Sequence, residues 1–475
     1  MKFKHTKIVA TVGPASQNPE ILKKMIESGV NVFRLNFSHG THQSHLETIK
    51  HIKEIRRNYN KPIAILQDLT GPKIRLGKIE NEPLQVSPGE TLILDSEKKD
   101  SASQVKRIEV NYKRFHKDVF PGAKLLLSDG DLELKIEKIE GSSVYCTVII
   151  GGNIYSRKGV NFPSGTFQVP TLTKKDEKDL LFGLENGVDL VAMSFVRKAS
   201  DRDKVEPIFK KSGRSVPLVA KLEKHEAIEN LDEIINGFDA IMVARGDLGV
   251  DIEPENVPFI QKKMINLANR MGKPVITATQ MLRSMVESPV PTRAEVNDVA
   301  NAILDGTDAV MLSEESAIGK YPVKAVGVMS KIAIKAEEYL NYYKESTIIE
   351  TSDSSLIPES ISHSATIVAR DLKAPLIFAI TRTGYTARAI ARYRPKSCIL
   401  ALTPEEDVYH QLALVWGVYP VKNALQKDAA VLFDEALKIA RKKKLLKKGD
   451  HYVFTSGYPL GEPGSINQVT AGKIS

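Results

Sequence analysis

Two apolar runs that end in charge carry the clearest chemistry in this 475-residue sequence. PLVAKLE, from Pro217, closes on Lys221 and Glu223; AIMVARGD, from Ala240, closes on Arg245 and Asp247. Buried parallel strands have no packing use for such residues at their carboxyl ends, where ligands of parallel-sheet folds bind. Glu223 and Asp247 therefore pair as candidate metal ligands with Lys221 beside them, since Mg²⁺ takes one or two carboxylates and leaves its other positions to water and substrate oxygens. An internal salt-bridge cluster would use the same residue types.

Other chemically capable residues fall at similar places. VNVFRLNFSHG ends in Arg34, Asn36, Ser38 and His39, PIAILQD ends in Asp68, and Arg75 follows shortly after. Phosphoryl transfer needs a divalent metal and cations that neutralise the migrating group, and Lys221, Arg34 and Arg75 supply the cations. The turn RGDLG would present the backbone N–H groups of Gly246 and Asp247 to a carboxylate. Together these residues describe a metal-dependent enzyme acting on a phosphorylated or carboxylate substrate.

The elements that must position them alternate. KIVATVG is a strand, followed by a helix that Asn18 caps, Pro19 opens and Gly29 closes. Strand and helix then repeat: Val30 to Gly40, Thr41 to Tyr59, and a third strand from Pro62. After a break at Pro72 they resume from Pro170, with HEAIENLDEII as one helix between the two strands of the charged pair. Eight strands, each followed by a helix, make a (β/α)₈ barrel, a TIM barrel of the α/β class, from residues 1–71 and 171–344. Residues 72–170 are short alternating runs punctuated by Pro-Gly, Asp-Gly and Gly-Gly, which read as an inserted all-β lid. TSDSSLIPES reads as a linker into a C-terminal α/β domain, 345–475, with a doubly wound sheet. There TRTGYTARAI leaves a strand and opens a helix. Thr381, Arg382, Thr383, Gly384 and Thr386 could hold a phosphate, although a plain helix-capping turn uses the same residues.

Composition bounds the alternatives. Lys and Arg number 67 against 58 Asp and Glu, a net charge of +9, which favours anionic partners. Part of that excess sits in ARKKKLLKKGD, the expected end of a helix. Nucleic acid is not expected, because no RRM, KH or helix-turn-helix pattern is present and no aromatics interleave the lysines. Cys146 and Cys398 stand far apart in sequence, which excludes a disulfide framework and suits a reducing cytoplasm. No apolar run reaches about eighteen residues, so no membrane span is expected.

KIVATVGP, RLNFSHG, AKLEKHEAI, MVARGDLG, ITATQML, PTRAEVNDVANAILDG and the inserted β segment together resemble the pyruvate kinase family along essentially the whole chain, more weakly at the C-terminus. The resemblance implies phosphoryl transfer from phosphoenolpyruvate to ADP, giving pyruvate and ATP. It implies Mg²⁺ (or Mn²⁺) at Glu223 and Asp247, with Lys221 stabilising the migrating group. Arg34 would contact phosphate, and Gly246, Asp247 and Thr279 would hold the carboxylate. Asn36, His39, Arg75 and Lys158 would face the nucleotide, while Thr279 and Ser313 would relay a proton to the enolate. The lid would close over the nucleotide, a phosphorylated effector would bind the Thr381–Thr386 loop, and the chain would form a homotetramer. A metal-dependent barrel lyase or aldolase acting on pyruvate or phosphoenolpyruvate is the competing enzyme class.

Two departures from the family pattern stand out. The residues that match its K⁺ site are Asn36, Ser38, Asp68 and a threonine replaced here by Leu69, while a nearby glutamate is replaced by Lys73. An ammonium can stand in for a monovalent cation, so Lys73 is expected to make K⁺ unnecessary. Glu314 occupies a position where the family often has glycine, and it is expected to face solvent.

Overall fold

The computed structural model describes residues 3–97, 105–342, 353–423, 429–457 and 466–475. Eight parallel strands close into a barrel: β1 Lys7–Thr11, β2 Val32–Asn36, β3 Ala64–Asp68, β4 Leu190–Met193, β5 Leu218–Leu222, β6 Ala240–Ala244, β7 Val275–Ala278 and β8 Ala309–Leu312. Neighbours in space are neighbours in sequence, and β8 returns to pair with β1. Alternate residues serve two cores, as the two-residue strand period requires. Val9, Val32, Leu66, Val219, Met242 and Ile276 fill the barrel interior. Ile8, Phe33, Ile65, Val191, Leu218 and Ile241 face outward and pack with the helices.

Helix ends follow the local chemistry. Asn18 caps Pro19–Ser28 by accepting the Glu20 N–H, and Gly29 closes that helix. Thr41 caps His42–Tyr59, and Thr292 forms a reciprocal capping box with Glu295 at Arg293–Asp305.

Between β3 and β4 stands the inserted β unit. Its six-stranded sheet has its own core, with Phe115, Leu125, Leu134, Cys146 and Phe162 all nearly fully buried. The long hairpin Leu132–Glu140 with Ser143–Ile150 forms its centre. After the barrel comes a five-stranded sheet. Leu376–Ile380, Cys398–Thr403, Val418–Lys422 and His451–Gly457 run parallel, and Ile466–Lys473 joins antiparallel at the edge. Cores on both faces of this sheet make it doubly wound.

Three local expectations change. Residues 353–360 of the supposed linker belong to the helix Asp353–Asp371. Its Ser362, Ala365, Thr366 and Ala369 are all buried, an i, i+3, i+4, i+7 stripe that packs on the sheet and outweighs the polar, Pro-containing start. The remainder of that stretch lies outside the described residues. HEAIENLDEII forms two helices, His225–Glu229 and Leu231–Gly237, because Asn230 leaves helical geometry and gives its side-chain amide to the Arg197 carbonyl at 2.9 Å. RGDLGVD is a seven-residue helix, Arg245–Asp251, where a turn was expected.

Candidate active site

The carboxyl ends of β1 to β5 interlock through one buried chain of charge. Asp68, at the end of β3, lies at its centre, 1% exposed. Arg34 from β2 clamps Asp68 Oδ2 through Nε at 2.7 Å and the second guanidinium nitrogen at 2.6 Å, and donates to Thr11 Oγ1 at 3.0 Å. Lys221 from β5 stands 3.2 Å from Asp68 Oδ1 and 3.0 Å from Glu223 Oε1, and donates to Ser194 Oγ at 2.6 Å. The Ser194 hydroxyl donates in turn to the Leu69 carbonyl at 2.7 Å, and Glu223 Oε2 accepts the Phe195 N–H at 2.9 Å.

Electrostatics fix the charges. Burial alone would raise the Asp68 carboxyl, but Lys221 and Arg34 overcome it and hold it below the ordinary range. Burial works against the Lys221 ammonium too, yet Asp68 and Glu223 outweigh it and raise its pKa, so it stays protonated. Glu223 is raised: burial pushes it up, Lys221 opposes, and the like charge of Asp247 adds to burial. Two carboxylates that repel one another at a strand-end mouth are a donor set a divalent cation would relieve, so Glu223 and Asp247 fit the expected metal.

Asp247 projects from the first turn of the helix Arg245–Asp251. In that turn the amides have no intrahelical acceptors, and the Gly246 N–H goes to Thr279 Oγ1 at 2.8 Å. The Gly246 amide is thus engaged within the protein, contrary to the expected open turn, and the Asp247 amide is the one left beside it. Thr279 donates onward to the Ala278 carbonyl at 2.6 Å. Thr279 and Gln280 both have positive φ, +70° and +54°, a costly geometry for a β-branched residue that marks functional turns. Ser313, at the end of β8, gives its N–H to buried Glu315 at 2.7 Å, and the other oxygen of Glu315 accepts the Leu282 N–H at 3.0 Å.

Above this mouth lies a cleft of about 210 Å³ between barrel and lid, lined by Lys73, Arg75, Asp129, Lys158, Phe195 and Asp247 among others. Arg75 is seated by a bond to the Arg157 carbonyl at 2.9 Å. The lid is tied to the barrel by Thr166 Oγ1 to Glu226 at 2.5 Å and by Arg197 to the Phe167 and Val169 carbonyls at 3.0 and 2.7 Å.

The structure thus gathers Arg34, Asp68, Lys221 and Glu223 in one contact chain and sets Arg75, Lys158 and Lys73 in the cleft. Asn36, the last residue of β2, and His39, on the loop after it, do not line that cleft: Asn36 is in register with Asp68 and accepts the Ser38 N–H at 3.1 Å, while the His39 carbonyl meets His45. Lys73 reaches toward Asp247 at 4.0 Å and over the Phe195 ring at 6.0 Å, the side of the mouth where the metal pair sits. Glu314 is exposed and pairs with Arg283 at 2.9 Å. In the C-terminal loop, Thr386 donates to the Ile380 carbonyl at 3.0 Å, Arg382 pairs with Glu405 at 3.1 Å, Thr381 is buried and Gly384 has φ +79°. Sequence reasoning missed Thr11, Ser194 and Glu315. The first two follow the same strand-end rule, but Glu315 acts inward through backbone amides and leaves no such signal.

Comparison with known proteins decides what this site belongs to. The family model described as pyruvate kinase, barrel domain, matches residues 3–326, and that described as pyruvate kinase, alpha/beta domain, matches residues 359–470. The chain belongs to the pyruvate kinase family. Pyruvate kinase 2 of Synechocystis sp. is 47% identical over 98% of the chain and 78% of its own length. The pyruvate kinase of Clostridium acetobutylicum is 42% identical over 98% of both. The crystal structure of a pyruvate kinase from Cryptosporidium parvum superposes with a TM-score of 0.93 at 36% identity, covering 99% of this chain and 96% of that one. The enzyme is accordingly a phosphotransferase whose substrates are phosphoenolpyruvate and ADP, and the lyase alternative is set aside. Among the described residues, no helix is long and apolar enough to cross a membrane.

Proposed function

We propose that the mouth transfers the phosphoryl group of phosphoenolpyruvate to ADP with Mg²⁺ or Mn²⁺ held by Glu223 and Asp247, as a step of glycolysis. The bound cation would neutralise phosphate and enolate oxygens as charge shifts between them. Lys221 stays cationic and faces the migrating group. Arg34 contacts the phosphate, and the Asp247 amide with the Thr279 hydroxyl orients the carboxylate. Arg75 and Lys158 hold the nucleotide, with Asn36 and His39 at its margin, and lid closure excludes water. Thr279 and Ser313 line the route by which a water protonates the enolate. The observation that best supports this reading is Lys221, held between Asp68 and Glu223 beside the metal pair.

Lys73 supplies the monovalent charge at the Asp247 side of the mouth, so activity does not require K⁺ even though Asn36, Ser38 and Asp68 keep the K⁺-site pattern. The Thr381–Thr386 loop, Arg382 included, takes a phosphorylated effector, and the enzyme works as a cytoplasmic homotetramer. The test is steady-state pyruvate formation with Mg²⁺, in K⁺ buffer and in a buffer whose only monovalent cation is large and inert. Equal rates support both parts. Activity confined to K⁺ removes the role of Lys73 alone, and no pyruvate in either buffer overturns the reading. Light scattering checks the tetramer.

A further inference from the structure

Arg245 follows β6 directly and opens the helix that carries Asp247. A cation at that place could face an anionic substrate, but its guanidinium is engaged inside the protein. Nε donates to the Ala278 carbonyl at 3.1 Å, Nη2 to the Thr279 carbonyl at 2.6 Å and the Met281 sulfur at 2.7 Å, and Nη1 to Asp298 at 2.6 Å. The side chain is 14% exposed and is not among the residues that line the cleft. Nor does the helix call for it, because a cation in a first turn opposes the helix dipole.

The two carbonyls it holds lie at the end of β7 and in the turn that follows. Thr279 and Gln280 in that turn have φ of +70° and +54°, a left-handed geometry that any Cβ disfavours and a β-branched side chain disfavours most. Such a geometry persists only where its surroundings impose it. Arg245 imposes it with a planar fork that spans two successive carbonyls, while Asp298, on the helix Arg293–Asp305, anchors the third nitrogen. A lysine offers one point charge and cannot span them. The next residue completes the grip: the Gly246 N–H reaches Thr279 Oγ1 at 2.8 Å, and the hydroxyl donates to the Ala278 carbonyl at 2.6 Å. That carbonyl accepts from Arg245 as well, so the hydroxyl and the strained backbone are fixed by one set of contacts.

We propose that Arg245 is a positioning residue for the reaction. It binds no substrate and acts through Thr279, whose hydroxyl it keeps at the mouth where the carboxylate is oriented and the enolate is protonated. The assignment rests on the role given to Thr279 under the proposed function.

The test is a double-mutant cycle read by steady-state pyruvate formation with Mg²⁺, comparing wild type, Arg245→Met, Thr279→Ala and the double variant. Arg245→Met should lower kcat/KM for phosphoenolpyruvate by about tenfold to a hundredfold, the scale of losing a group that orients a ligand contact, with KM for ADP within about twofold. Arg245→Lys should fall nearly as far, since charge alone does not hold two carbonyls. The double variant should stay within about twofold of Thr279→Ala, because without that hydroxyl Arg245 has nothing to position. Should Arg245→Met fail to fold, Asp298→Asn, which frees the guanidinium without removing it, takes its place in the cycle with a smaller effect of the same pattern. Losses that multiply in the double variant, full rescue by Arg245→Lys, a matching rise in KM for ADP, or Arg245 variants at the wild-type rate would each overturn the proposal and leave the role of Thr279 standing. Wild-type kcat/KM in Thr279→Ala would overturn both.

Discussion

The floor of the catalytic mouth and the cleft above it are built on opposite plans. On the floor, Arg34, Asp68, Lys221 and Glu223 are bound to one another and to Thr11, Ser194 and the Phe195 amide, and the side chains of the two acids are 1% exposed. In the cleft, Lys73 and Asp247 have side chains 36% and 39% exposed and stand 4.0 Å apart. A floor fixed in advance costs little reorganisation when charge moves, which is how electrostatic stabilisation accelerates a reaction. An open cleft under a lid can admit a ligand and close on it. On the proposed reading, the floor carries the chemistry and the cleft exchanges the nucleotide.

The sharpest way to break that contrast is Lys221→Met. If the floor carries the chemistry, kcat should fall by about 10³ or more, roughly 4 kcal/mol of transition-state stabilisation, with KM for ADP little changed. Steady-state pyruvate formation reads both. A loss confined to KM would return Lys221 to a merely binding role.

Asp68→Asn tests whether the floor is also structural. Removing one partner of a buried ion network leaves uncompensated charge and costs roughly 3–5 kcal/mol, so denaturant unfolding should show a lower midpoint. The pH dependence has a definite sign. The folded Asp68 carboxyl lies below its ordinary value of 3.8. Its contribution to stability is therefore fully present above that value and is lost as pH falls through the lower folded pKa. Wild type should lose stability in that acid window, and the variant should lose less.

In the cleft the expected effect is smaller and of another kind. Arg75→Ala and Lys158→Ala should each raise KM for ADP by about tenfold, the scale of one charge-assisted contact to phosphate, while kcat falls far less. A matching fall in kcat would show that the cleft shares in the chemistry and would erase the division.

Legibility in the sequence follows the same division. The barrel could be read because its strands are buried on both faces and so interrupt their apolar runs with charge mostly at the ligand end, as at Arg34, Asp68, Lys221 and Glu223. The cap at Asn18 could be read because it is local hydrogen-bond chemistry. The helix from Asp353 could not, since its burial depends on a sheet far along the chain. Nor could the engagement of the Gly246 amide by Thr279 across two strand ends, the break at Asn230, which Arg197 stabilises from another loop, or the direction of Lys73, whose Asp247 partner is brought near only by the closed barrel.

The smallest effect belongs to Glu314. It forms an ion pair with Arg283 at 2.9 Å, but both side chains are about half exposed, at 51% and 54%. Water screens such a pair and leaves its side chains mobile, so double-mutant cycles on comparable pairs give about 0–1 kcal/mol. Glu314 adjoins Ser313 at the mouth, yet it points away to Arg283 while Glu315 supports the Ser313 amide from inside. Glu314→Gln should therefore leave kcat and both KM values within about twofold and stability within about 0.5 kcal/mol. Glu315→Gln, by weakening two buried backbone contacts that join the β7 and β8 loops, should cost about 1–3 kcal/mol. Equal effects from the two neighbouring glutamates would mean that burial does not rank the residues around this mouth, and the contrast between floor and cleft would fail with it.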